Sequence, residues 1–228
     1  MHFRDRVASK YWYDTIQNTR YGCLEGYRSG KTLVFRGVPY GKAERWSLPE
    51  YPDAWDGVRD ATLSGPMGIH VNRDGVLTGV EDCLNMDIYR PDTQQTGLPV
   101  MFFLHGGNNQ IDGADQVDFT EFAYAANVIA ISVNYRLGAL GFNPLRAIKG
   151  EDPAQASGNF AILDAIRGLS WVRDNIVSFG GNPGNITIAG FSSGGRDVME
   201  LLISPDAKGY FQKAISFSGG MTTAEIEP

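Results

Sequence analysis

The sequence predicts an α/β architecture whose central sheet is mostly parallel and opens with an antiparallel segment. Three observations predict it. The apolar runs Pro99-Val100-Met101-Phe102-Phe103-Leu104 and Val128-Ile129-Ala130-Ile131-Ser132-Val133 suit strands buried on both faces of a parallel sheet. Amphipathic helical patterns alternate with such runs, the punctuation of βαβ units. A third run, Ile186-Thr187-Ile188-Ala189, enters Gly190-Phe191-Ser192-Ser193-Gly194, a tight strand-to-helix turn flanked by glycines because strained backbone needs positions without a Cβ.

Taken in order, the elements begin with β-rich segments at 21–27, 32–40 and 84–89, separated by Gly, Pro and Asp clusters. They form the antiparallel start, about residues 1–90. After Pro91 the strands at 99–104 and 128–133 flank a crossover helix, where Phe119, Phe122, Ala123 and Ala126 recur at helical spacing. The clearest helix spans 159–178. Its Ile162, Ile166, Leu169, Val172 and Ile176 fall three and four apart, and Gly180-Gly181 ends it. A helix then follows Ser192, and a strand spans 213–217, where an open sheet edge is expected.

At 228 residues and 43% hydrophobic content, the chain can bury the core of one domain or most of one. A net charge of -6 with scattered acidic residues gives no basic surface for nucleic acid. No apolar stretch approaches the roughly 20 residues of a membrane span. The opening Met1-His2-Phe3-Arg4-Asp5-Arg6 has no apolar signal core, so a cytoplasmic protein is expected. Cys23 and Cys83 lack metal-ligand spacing and are expected as reduced thiols. With no dinucleotide or phosphate glycine motif, neither cofactor nor metal is implied.

The chemistry concentrates at Ser192. A serine at a strand-to-helix turn is the layout of a nucleophile elbow, which points to acyl transfer. Such a hydroxyl needs a base, an orienting acid and donors for the oxyanion that develops on the substrate. Donors are present: His105-Gly106-Gly107-Asn108 follows the first buried strand, where a glycine turn aims backbone N–H groups at the mouth of the sheet, and the Ser193 amide completes the set.

Further segments fall in a familiar order. Glu81-Asp82-Cys83-Leu84-Asn85-Met86-Asp87, His105-Gly106-Gly107, Asn134-Tyr135-Arg136-Leu137-Gly138, Gly158-Asn159 with Leu163-Asp164, Phe179-Gly180-Gly181-Asn182-Pro183 and Gly190 to Gly195 resemble the type-B carboxylesterases, α/β-hydrolases that include the cholinesterases. Phe35-Arg36-Gly37-Val38-Pro39-Tyr40, Arg45-Trp46 and Gly65-Pro66 extend the resemblance over nearly the whole chain. It implies an α/β-hydrolase fold, with Ser192 as nucleophile and the amides of Gly107, Asn108 and Ser193 as the oxyanion hole. Asn108 stands where the family has a third glycine; its N–H survives the replacement, and Asn tolerates unusual φ. Phe191 replaces an acidic residue, so the pocket is expected to favour small neutral esters over cationic ones. Gly68 stands where secreted relatives carry the partner of Cys83. Asp197 replaces a small hydroxyl residue and must find a cation or water, with Arg196 nearest in sequence. Arg45 and Glu81 match a structural ion pair, expected to be buried and to serve the fold.

The remaining half of the mechanism lies elsewhere. Acid and histidine follow the serine in this fold, yet the three histidines, His2, His70 and His105, all precede Ser192. The resemblance gives His105 the role of shaping the glycine loop, while Glu200, Asp206, Glu225 and Glu227 lack the strand-end setting of a triad acid. Residues 1–228 are therefore expected to be the N-terminal portion of a single hydrolase domain, partnered by a C-terminal half carrying acid and base. A non-catalytic binding module of the same fold, or an inactive fragment, is the alternative; a lipase or peptidase is opposed by the extended resemblance.

Overall fold

The computed structural model describes residues 13–145 and 151–220. Among these the strands are β1 (Ile16–Asn18), β2 (Cys23–Glu25), β3 (Tyr27–Ser29), β4 (Thr32–Pro39), β5 (Val58–Asp60), β6 (His70–Val71), β7 (Leu77–Thr78), β8 (Asn85–Pro91), β9 (Leu98–Leu104), β10 (Ile129–Val133), β11 (Gly181–Phe191) and β12 (Lys213–Phe217). The helices are α1 (Thr120–Ala126), α2 (Gly138–Gly141), α3 (Pro153–Ala156), α4 (Phe160–Asn175) and α5 (Ser193–Ile203).

A seven-stranded sheet runs in the order β12-β11-β9-β10-β8-β4-β3. The strands β12, β11, β9 and β10 are parallel, and β8 is antiparallel to both β10 and β4. The expected antiparallel start and parallel remainder thus meet between β8 and β10. Alternation along each strand sorts the side chains by face. Phe102, Leu104, Ile129, Ile131, Ile186 and Ile188 join one core with Leu169, Val172, Val198 and Leu201 of α4 and α5. Phe103, Ala130 and Ala189 join the other, with Phe119 and Ala123 at α1. Buried Leu, Val and Ile side chains are each worth roughly 1.5–3 kcal/mol, so these two layers hold the sheet and thereby the turns at its strand ends.

The structure revises several element bounds. The expected strand at 21–27 is two strands, because the Gly26 backbone lies so close to the Val34 carbonyl that a side chain there would overlap it. β2 leaves for a small sheet with β1 and β5, while β3 enters the main one. The helix expected over 159–178 ends at Asn175, followed by a 3-10 turn over Ile176–Phe179 and Gly180 at φ 77°. β11 starts at Gly181, earlier than its apolar stretch, with an irregularity between Gly181 and Ile186. β12 forms as expected, at the edge, with all five residues exposed. The strands β1 and β5 to β7 and the short helices α2 and α3 carry too little periodicity to be read beforehand. Among the described residues no helix is long and apolar enough to cross a membrane.

Arg45 and Glu81 do pair, but not in the interior: their side chains are 55% and 35% exposed. Arg45 also lies over the Trp46 ring, 5.7 Å from its centroid. Water screens this pair, and such surface pairs contribute about 0–1 kcal/mol. Cys23 and Cys83 are both free. Burial pushes the Cys83 thiol up to about 12, which leaves it protonated and inert.

Candidate active site

β11 delivers Ser192 to the carboxyl end of the parallel strands, and α5 starts at the next residue. Ser192 holds φ 56° and ψ −117°, a strained conformation for a residue with a side chain. Glycines make the turn possible. A Cβ on Gly190 would overlap the Gly194 carbonyl, and one on Gly194 would overlap the carbonyls of Leu104 and His105. Helix α5 therefore packs directly on the end of β9. The Ser192 amide donates to the Phe217 carbonyl at 2.8 Å, fixing the turn to β12. Ser192 is half-buried, and its side chain makes no cap hydrogen bond to the helix.

The glycine loop leaves β9 immediately beside this turn. A Cβ on Gly106 would sit 3.3 Å from Ser192 Cβ, so loop and elbow are in contact distance of one another. Gly107, Asn108 and Asn109 take φ values of 103°, 57° and 57°, a run in the left-handed region. The Gly107 carbonyl closes the turn by accepting from Gln110 and Ile111 at 3.0 and 3.2 Å. The backbone N–H groups of Gly107, Asn108 and Ser193 donate to no group among the described residues, while Gly106 N–H is taken by Gln116 Oε1 at 2.9 Å. Asn109 N–H is also taken, by Ser193 Oγ at 3.0 Å.

His105 anchors this loop from below. Its ring is fully buried, stacks on Tyr135 at 4.4 Å, and donates from Nδ1 to the Gly106 carbonyl at 2.7 Å. Burial drives its pKa down to about 4, so it stays neutral at pH 7. His70 is also buried and spends Nδ1 on the Gly68 carbonyl at 2.7 Å. His2, Glu225 and Glu227 lie outside the described residues. Asp206 is exposed, and Glu200 sits half-buried beyond the second turn of α5. Among the described residues no group of three His, Cys, Asp or Glu is arranged to hold a metal ion.

Asp197 is 2% exposed and forms no ion pair among the described residues: Arg196, the nearest cation in sequence, reaches to Asn108 Oδ1 at 2.9 Å. The Asp197 carboxyl accepts from Asn109 Nδ2 at 2.8 Å. Burial raises its pKa to about 7, against the Asn109 hydrogen bond, with Glu200 adding to the rise and Arg196 and Tyr135 opposing it. The sequence marked Asp197 as unusual but offered no signal that Asn109 would be its partner, or that Gln116 would take the Gly106 amide, since loop residues carry no periodicity.

Phe191 is 49% exposed at the end of β11, against Gly106. It places an apolar ring beside the Ser192 turn.

Comparison with known proteins agrees with this geometry. The model of the carboxylesterase family matches residues 13–226. The para-nitrobenzyl esterase of Bacillus subtilis (strain 168) is 36% identical over 224 residues, which are 93% of this chain and 45% of that protein. Liver carboxylesterase 1 of Mus musculus is 39% identical over 220 residues, 87% of this chain and 38% of the relative. Among solved structures, a PNB esterase superposes with a TM-score of 0.84 at 36% identity, covering 92% of this chain and 45% of its own. The carboxylesterase of Geobacillus stearothermophilus gives 0.82 at 40% identity, covering 89% and 43%. The chain thus spans less than half the length of the relatives it matches. With its sheet order, its strained serine turn and a match over most of its length, the chain belongs to the carboxylesterase family of α/β-hydrolases.

Proposed function

We propose that this chain is the N-terminal portion of a serine carboxylester hydrolase acting on small neutral esters. Ser192 Oγ attacks the ester carbonyl while its proton passes to a histidine base carried by a C-terminal segment of the enzyme, oriented there by an acid. The carbonyl oxygen becomes an oxyanion held by the amides of Gly107, Asn108 and Ser193. Collapse expels the alcohol, which takes the proton, and leaves an acyl group on Ser192. Water then attacks with the same base and releases the carboxylic acid. One such donor is worth roughly 2.7–4 kcal/mol of transition-state stabilisation.

The observation that carries this reading is the pairing of a strained, half-buried Ser192 with open amides on the adjoining loop. The exposed Phe191 ring supports neutral substrates. A cleft of about 800 Å³ between α4 and α5, lined by Ile162, Ile166 and Ile203, and the exposed β12 support a further segment packing on this side.

Without its base the serine is slower by a factor on the order of 10² to 10⁴ or more. The test is intact mass after exposure to a fluorophosphonate, which adds to an activated serine. The chain alone gives no stoichiometric adduct. Supplied in trans with the C-terminal part of the Bacillus subtilis para-nitrobenzyl esterase, it gains an adduct on Ser192 and cleaves short nitrophenyl esters, and Ser192→Ala does neither. Stable association without adduct or hydrolysis would overturn the proposal and leave the binding module.

A further inference from the structure

The strained run at Gly107, Asn108 and Asn109 needs an external hold. A single glycine tolerates the left-handed region freely, but two successive asparagines do not, and short loops of this kind relax unless neighbouring side chains over-determine them. Four contacts supply that hold. Tyr135 donates its hydroxyl to the His105 carbonyl at 2.8 Å, at the base of the loop. Arg196 reaches Asn108 Oδ1 at 2.9 Å, in an exposed position where water competes. Asn109 gives its backbone N–H to Ser193 Oγ at 3.0 Å and its side-chain amide to Asp197 Oδ1 at 2.8 Å.

Three of these contacts run to consecutive turns of one helix. Ser193, Arg196 and Asp197 occupy the first two turns of α5, the helix that begins at the nucleophile. The loop is therefore fastened to the same rigid element that fixes Ser192. The Asp197 contact is the one of the four made to a carboxyl, on a residue only 2% exposed, and hydrogen bonds to a charged acceptor shielded from water are the stronger kind.

We infer that Asp197 is a positioning residue: through the Asn109 side chain it holds the glycine loop in register with the Ser192 turn, so that the Gly107 and Asn108 amides keep the direction an oxyanion requires. This rests on the proposed hydrolase mechanism for its catalytic meaning, though the fastening itself does not. Asp197 acts without touching substrate. A carboxylate this deeply buried is costly to keep charged, and here its position is explained by the loop it secures. The charged and titratable groups acting on it are Glu200 and Arg196 of its own helix and Tyr135 from the turn after β10, with Asn109 as its donor from the loop.

The test is amide hydrogen exchange, read by NMR on the ¹⁵N-labelled chain. Asp197→Ala is expected to speed exchange of the Asn109 backbone amide by roughly tenfold or more, with amides of β9 such as Phe102 unchanged. Asp197→Asn, which retains an acceptor oxygen, is expected to restore slow exchange. In the parent chain the Asn109 side-chain amide signal follows the titration of Asp197, and in Asp197→Asn it does not. Asn109→Ala severs the same bond from the loop side and is expected to speed exchange at position 109, which decides the matter should Asp197→Ala fail to fold. Unchanged exchange in the folded variants, or an increase spread evenly over the core strands, would overturn the inference. None of these signals depends on Ser192 reacting, so failure of the hydrolase reading shows separately, in the fluorophosphonate mass.

Discussion

Asn109 and Asp197, 88 residues apart in sequence, are joined by a 2.8 Å hydrogen bond between loop and helix. The Asp197 carboxyl, raised by burial from 3.8 to about 7, makes stability depend on pH. Its folded pKa lies above the unfolded one, so the folded state holds the proton more tightly. The stability this contributes is fully present below the unfolded value and is lost as pH rises through about 7. Asp197→Asn removes that dependence. Urea unfolding at pH 4.5 and 7.5 is expected to show the parent losing stability relative to the variant by several kcal/mol, on the order of 4 at the limit. Equal pH slopes would argue against it.

Arg136 and Asp164 form a buried ion pair, with Nη2 to Oδ1 at 2.6 Å and Nε to Oδ2 at 2.8 Å. Arg136 also donates to the Ser47 carbonyl at 2.9 Å, so one side chain ties the turn after β10 to α4 and to the N-terminal part. Asp164→Ala strands a buried guanidinium. The expected loss is about 3–5 kcal/mol in urea unfolding. A loss under about 1 kcal/mol, the level of a surface pair, would mean that water reaches the site.

Gly194 touches the end of β9 through backbone alone. Gly194→Ala is expected to cost about 3 kcal/mol or more, because the new Cβ overlaps the Leu104 and His105 carbonyls, the first held in β9 and the second on a fully buried residue directly after it. Gly30→Ala, at φ 57° but with no atom nearby, is expected to cost less, with backbone strain alone to bear. Thermal midpoints of the two variants check the order.

His105 is expected to remain neutral in the folded chain down to about pH 5, since burial holds its pKa near 4. Imidazole ¹⁵N shifts across pH 4 to 8 report this directly. A midpoint near the ordinary 6.5 would mean that the ring is hydrated, and would reopen His105 as a proton acceptor for Ser192.

Phe191→Glu is expected to restore preference for cationic esters in the complemented enzyme, lowering KM for a choline ester more than for a neutral ester of equal acyl length. The ring lies at the mouth of the site, 49% exposed, so the carboxylate is added without a burial penalty. Equal KM ratios in both enzymes would place cation selection elsewhere.

The sequence by itself determined the elements that rest on local pattern. Continuous apolar runs located β9 and β10, helical spacing located α1 and α4, and the glycines around Ser192 located its turn, because a strained turn admits few residue types. Only the tertiary structure decided which groups meet. That β8 joins the antiparallel and parallel halves, that Asp197 pairs with Asn109 instead of Arg196, and that Arg45 and Glu81 lie at the surface all depend on segments tens of residues apart. Hydrogen bonds and burial are set by where the packed core carries a side chain, and a linear pattern of residue types holds no record of that distance.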